Sequence, residues 1–84
     1  MVENTILQEI STILATTARV DPVLVVPENK FATDLDIDSV TMVSVVVAVE
    51  DHFGAVIPDE VWAQFVTVGD LTAYLGQIGV VRPL

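Results

Sequence analysis

The sequence predicts an all-α four-helix bundle with a long first loop and a short third helix. Apolar residues recur at helical spacing in segments that begin near Ile6, Val40 and Val68. Residues suited to starting a helix, namely Thr5, Asp38, Pro58 and Thr67, stand ahead of four segments. Two prolines, Pro22 and Pro27, keep the stretch between the first and second segments irregular. With 84 residues, the chain has room for one core, so a single domain is expected over 1–84. Its core is expected at about 4–79, followed by a tail at 80–84.

In the first helix, Ile6, Ile10, Ile13 and Leu14 form the stripe, with Leu7 beside it. Asn4 or Thr5 is expected to cap it, with Gln8 in capping-box register to Thr5. Asp21-Pro22 disfavours continuation, so the helix should end near Arg19. From about Val20 to Asp38 the chain is long for a loop in so small a domain. Val23, Leu24, Val26, Phe31, Leu35 and Ile37 are expected to hold it to the core, giving an ordered loop. Propensity alone favours a strand for Val45-Val46-Val47-Ala48-Val49. The cap at Asp38-Ser39, Gly54 in the C′ position and a length of fifteen residues decide for a helix from Ser39 to Phe53. Val40, Val43, Val46 or Val47, Val49 or Glu50, and Phe53 fit one broad stripe. Pro58-Asp59-Glu60 opens a short helix through Trp62 to about Phe65, with the proline in its first turn. Thr67 caps the last helix, whose stripe is Val68, Leu71, Leu75 and Ile78 and whose end is Gly79. Trp62 and Phe65 read as core anchors, Tyr74 as a ring with its hydroxyl at the surface, and His52 as a solvated helix residue.

Twelve acidic residues against Arg19, Lys30 and Arg82 give a formal charge of −9. Such a surface repels nucleic-acid phosphates and anionic lipid headgroups, so neither nucleic acid nor membrane is an expected partner. The same charge either attracts basic protein surfaces or simply keeps an apolar-rich chain in solution. No cysteine is present, so disulfides and thiolate metal sites are excluded and any thiol chemistry must come from a cofactor. The start Met1-Val2-Glu3-Asn4 lacks the basic and apolar pattern of a secretory signal. The longest apolar run, Val45 to Val49, is far short of the roughly 20 residues of a membrane span. A cytoplasmic, monomeric protein is expected.

Catalysis by Ser39 requires a base within hydrogen-bond reach. The sole histidine, His52, is thirteen residues along the same expected helix, roughly 20 Å away at 1.5 Å per residue. Lys30 is the sole lysine, and there is no Gly-rich phosphate loop or zinc spacing. The chain is therefore not expected to be an enzyme. What stands out is a serine at a helix start, after a long loop and beside several acids. In isolation an Asp-Ser pair is an ordinary helix cap. An exposed hydroxyl there is also open to modification by another protein, with helix N–H groups favouring an anion beneath it.

The run Phe31-Ala32-Thr33-Asp34-Leu35-Asp36-Ile37-Asp38-Ser39-Val40 is followed by Val43, Glu50-Asp51-His52-Phe53-Gly54 and Ile57-Pro58-Asp59-Glu60. Together with Thr67-Val68-Gly69-Asp70-Leu71, it closely resembles acyl carrier proteins, over nearly the whole chain from Ile6 to about Ile78. The Asp-Leu-Asp-Ile-Asp-Ser wording is similar to carriers of actinobacterial fatty-acid and polyketide systems. The resemblance implies that Ser39 receives 4′-phosphopantetheine from coenzyme A through a separate magnesium-dependent phosphopantetheinyl transferase. Asp38 matches the family's acid before that serine, expected to position the transferase's metal or the serine. The chain would then carry acyl intermediates as thioesters during fatty-acid, polyketide or related lipid biosynthesis, tethered at high effective concentration to each docked enzyme.

The resemblance also implies docking to acyl-loading and synthase enzymes with basic patches. Two positions commonly acidic in the family are here Thr41 and Ser44, leaving Asp34, Asp36 and Asp38 upstream and Glu50, Asp51, Asp59 and Glu60 downstream. Docking is therefore expected to lean less on salt-sensitive charge from those acids and more on Val40, Met42 and Val47. The small side chains of a valine and isoleucine core could leave an acyl slot between the second and third helices, but tight packing is the favoured expectation. The alternatives are a peptidyl or aminoacyl carrier, such as a D-alanyl carrier, and a helical interaction module whose Ser39 is only a cap. Ile37-Asp38, where many peptidyl carriers have glycine and histidine, favours acyl cargo. Met1 and the absence of long flanking linkers favour a free-standing protein over a domain of a larger synthase.

Overall fold

The computed structural model describes residues 2–79, and the tail expected at 80–84 lies outside them. Its elements are α1 (Val2–Thr17), a 3-10 turn (Pro22–Leu24), α2 (Ser39–Phe53), α3 (Asp59–Trp62) and α4 (Val68–Gln77). This is the expected all-α arrangement. Among the described residues the only β feature is one isolated antiparallel bridge, Lys30 with Thr67.

Helix α1 lies between α2 and α4 and packs on both. It does so through Ile6, Ile10, Ile13 and Leu14, all buried as the periodicity requires. Ser11 is buried on the same helix, and its hydroxyl donates to the Leu7 carbonyl at 2.8 Å, so no polar group is stranded. The helix starts at Val2, ahead of Asn4 and Thr5, so neither of those is its cap. At the other end the chain leaves the helix after Thr17, and Arg19 takes a left-handed conformation with φ 59°.

Helix α2 spans Ser39 to Phe53 as expected, capped by Asp38 and ended by Gly54 at φ 64°. Its buried face, however, is Met42, Val45, Val46 and Val49. The expected stripe through Val40 and Val43 is corrected: both face outward, as does Val47. The physical reason is that valines occur on every side of this helix, so their spacing alone leaves its rotation undecided.

Pro58 is the cap of α3 and not part of its first turn, and the helix stops at Trp62, three residues short of Phe65. Turn bonds from Gln64 N–H to Val61 O and Phe65 N–H to Trp62 O, both 3.1 Å, carry the chain onward. Trp62 and Phe65 are half-buried against the core, and no residue of α3 is fully buried. Helix α4 has a complete capping box: Asp70 N–H donates to Thr67 Oγ1 at 3.2 Å, and Thr67 N–H donates to Asp70 Oδ2 at 3.0 Å. Val68, Leu71 and Leu75 are buried, whereas Ile78 lies past the last helical residue and is exposed. Gly79 follows at φ 76°.

The long loop is held differently from expectation. Phe31 and Ile37 are buried and Leu35 half-buried, but Val23, Leu24 and Val26 are exposed and Val25 takes the inward position. The 3-10 turn, capped by Asp21 through a 3.0 Å bond from Val23 N–H, sets that orientation. Backbone bonds then tie the loop to the α3–α4 connection. Phe31 N–H donates to Val66 O at 3.0 Å, Val68 N–H to Asn29 O at 2.9 Å, and Gly69 N–H to Pro27 O at 2.8 Å. A Cβ on Gly69 would come within 3.1 Å of that Pro27 oxygen, so the approach depends on glycine.

Candidate functional site

The end of the long loop is built to turn Ser39 outward. Lys30 N–H donates to Asp34 Oδ2 at 2.8 Å, while Asp34 N–H and Leu35 N–H donate to Lys30 O at 3.0 and 3.1 Å. Asp36 then takes a left-handed conformation, φ 55°, and Ile37 N–H donates to Phe31 O at 2.9 Å. The reversal sends Ile37 into the core and leaves Asp38 and Ser39 exposed. Asp38 Oδ1 accepts the Thr41 N–H at 2.8 Å, and Asp38 O accepts the Met42 N–H at 2.8 Å, so α2 starts at Ser39. The Thr41 amide, followed by the Thr41 hydroxyl, holds the Asp38 carboxyl below its ordinary value against a small desolvation effect.

Beside Ser39 lies a cleft of about 380 Å³. Phe31 and Ile37 of the loop, Met42 of α2, and Trp62, Phe65 and Val66 supply its apolar wall, and Lys30, Thr33, Asp38 and Ser39 also line it. It runs between the long loop, the start of α2 and the α3 region, where tight packing was the favoured expectation. Trp62 is oriented there by donating from Nε1 to Asp59 Oδ1 at 3.2 Å. The volume falls within the range of small-ligand pockets.

The candidate docking residues divide. Met42 is corrected: it is 7% exposed and belongs to the core and the cleft wall, so it offers nothing to a partner's surface. Val40 and Val47 are exposed, at 77% and 57%. Val43, assigned from sequence to the core, is 47% exposed and joins them. Polar Ser44 and Asp51, seven residues apart, mark this outer face and were the available signal for it. Asp34, Asp36, Asp51, Asp59 and Glu60 are exposed. Glu50 is half-buried, and its Oε2 accepts the Ile57 N–H at 2.7 Å, which makes it a brace for the α2–α3 connection. His52 is exposed, yet it pairs with Glu9 of α1 and sets its ring edge-on to Phe53 at 4.9 Å. It is thus engaged at the far end of α2 from Ser39. No group of three or more potential metal ligands occurs among the described residues. None of the described helices is long and apolar enough to cross a membrane.

The model of the phosphopantetheine attachment-site family matches residues 8–75, which include the loop, Ser39 and the cleft. The chain is also 40% identical over 76 residues to the meromycolate extension acyl carrier protein of Mycobacterium tuberculosis, covering 90% of this chain and 66% of that protein. The chain belongs to the acyl carrier protein family. Among other carriers, that of Rhodococcus erythropolis is 37% identical over 90% of this chain and 84% of its own length. The acyl carrier protein of Thermosynechococcus vestitus is 40% identical over 89% of this chain and 93% of its own length. The chain therefore spans about two thirds of the mycobacterial carrier and nearly all of the cyanobacterial one. The family's cofactor is phosphopantetheine, and the residues here fit it: an exposed hydroxyl, a helix N-terminus suited to a phosphodiester, and an apolar cleft alongside.

Proposed function

We propose that this carrier holds acyl intermediates of fatty-acid, polyketide or related lipid biosynthesis as thioesters, on 4′-phosphopantetheine attached to Ser39. The observation that carries the reading is the exposed Ser39 at the first turn of α2, beside an apolar cleft. When bound, the group supplies the thiol that a cysteine-free chain lacks. Asp38 keeps the helix start formed and its charge next to the hydroxyl that a transferase must reach. The first amides of α2 favour the phosphodiester's negative charge. Phe31, Ile37, Met42, Trp62 and Phe65 offer an acyl chain a water-poor surface within the cleft.

The partners of this reading are a phosphopantetheinyl transferase and acyl-loading and synthase enzymes with basic docking patches. Asp34, Asp36, Asp51, Asp59 and Glu60 would meet those patches, as a net charge of −9 favours. The chain itself acts as a substrate of these enzymes, in the cytoplasm and as a monomer. The likeness to carriers named for meromycolate extension supports a place in lipid-chain assembly. Incubation with coenzyme A and a broad phosphopantetheinyl transferase, followed by intact mass, tests the proposal. The expected result is a gain of one phosphopantetheine, and none for Ser39→Ala. A chain that never gains that mass is a helical interaction module instead.

A further inference from the structure

Among the described residues, a single cation lines the cleft beside Ser39. It is Lys30, the only lysine of the chain, in a wall whose other polar members are Thr33, Asp38 and Ser39. The Lys30 backbone is fixed on every side. Its amide donates to Asp34 Oδ2 at 2.8 Å, its carbonyl accepts from the Asp34 and Leu35 amides, and a bridge joins it to Thr67. Its side chain is exposed, and the ammonium forms no ion pair among the described residues. The surrounding acids are engaged elsewhere. Asp34 accepts the Lys30 amide, Asp38 the Thr41 amide, and Asp70, close to the bridge, the Val66 and Thr67 amides. Glu28 lines a separate hollow beside Arg19.

We infer that Lys30 is a binding residue for the arm, its ammonium pairing with the phosphodiester that modification of Ser39 introduces. This rests on the carrier reading, which supplies that phosphodiester. Reach permits the pair. The cleft's volume corresponds to a compact space roughly 9 Å across, and a lysine stem extends roughly 6 Å. Charge favours it as well. The phosphodiester adds a negative charge to a chain already at −9, next to the Asp38 carboxylate, and Lys30 offsets it. The first amides of α2 belong to the helix and Lys30 to the loop, so each contact stands without the other. A carboxylate on the cargo would offer the same oxygen chemistry, but it hangs from the far end of the arm. The phosphodiester is bonded to Ser39 itself and stays beside the cleft.

The test compares the full chain before and after modification with coenzyme A and a broad phosphopantetheinyl transferase. Acetylation of Lys30 by acetic anhydride is followed by peptide mass, because an amine held by an anion reacts more slowly. The expected result is acetylation about threefold slower in the modified chain at about 0.05 M NaCl, with the protection lost at about 0.5 M. In the modified protein, Lys30→Gln should move the phosphorus NMR resonance, and Lys30→Arg, which keeps the charge, should leave it near the wild-type position. Both substitutions change an exposed side chain and leave the backbone bonds in place, which circular dichroism checks. Equal acetylation in the two forms, protection that survives the salt, or a phosphorus resonance indifferent to Lys30→Gln overturns the inference. So does protection that arises only once a carboxylate-ended acyl group is loaded, since the bound anion would then be the cargo's. If Ser39 is never modified, the carrier reading itself fails; if it is modified and Lys30 is indifferent, only this inference does.

Discussion

Asp38 does two jobs at one position. Its carboxylate caps α2 through the Thr41 amide, and it stands beside the Ser39 hydroxyl. Asp38→Ala should therefore lower stability by about 1 kcal/mol, measured by urea unfolding, whereas Asp38→Asn should retain most of the cap. If both substitutions slow Ser39 modification equally, the charge matters to the transferase independently of the cap. Asp70 is the matching residue of α4, held below its ordinary value by the Thr67 amide and then the Val66 amide. For both acids the folded-state pKa lies below the unfolded one. Their contribution is thus complete above the ordinary aspartate range, near about 4, and is lost as pH falls through the lower folded values. Thermal unfolding should show a drop below about pH 4 that Asp70→Asn makes shallower. The His52–Glu9 pair is partly exposed, with 32% and 24% of the two side chains accessible, and is worth little stability.

Among the helices, α1 and α4 were legible because polar residues interrupt their apolar ones and fix which face turns inward. Ile6, Ile10, Leu14, Leu71 and Leu75 are buried where the spacing put them. The length and caps of α2 were equally legible, but not its rotation, since Val40, Val43 and Val47 are chemically indistinguishable from Val45, Val46 and Val49. That ambiguity exchanged Met42 and Val43 between core and surface. At the candidate site, Asp38 and Ser39 were visible as a cap and an exposed hydroxyl, while the Phe31 and Ile37 wall of the cleft depends on contacts across the chain. Those contacts give Gly69 its importance. Helix propensity favours alanine there, yet a Cβ meets the Pro27 oxygen at 3.1 Å. Gly69→Ala is expected to destabilise by about 1 kcal/mol in chemical unfolding.

For the molecule as a whole, α1 is the common partner of α2 and α4, so the core depends on one central helix. A net charge of −9 on 84 residues adds self-repulsion to a fold with a small core. Added NaCl should raise the melting temperature by screening that repulsion. The long loop and the α3–α4 connection meet through a bridge closed by the Phe31 and Val68 amides. Neither strand of this clasp can open without undoing the other, although more than thirty residues of sequence separate them. Deuterium should therefore reach the Phe31 and Val68 amides at a shared rate, and slackening the seam at Gly69 should hasten both together.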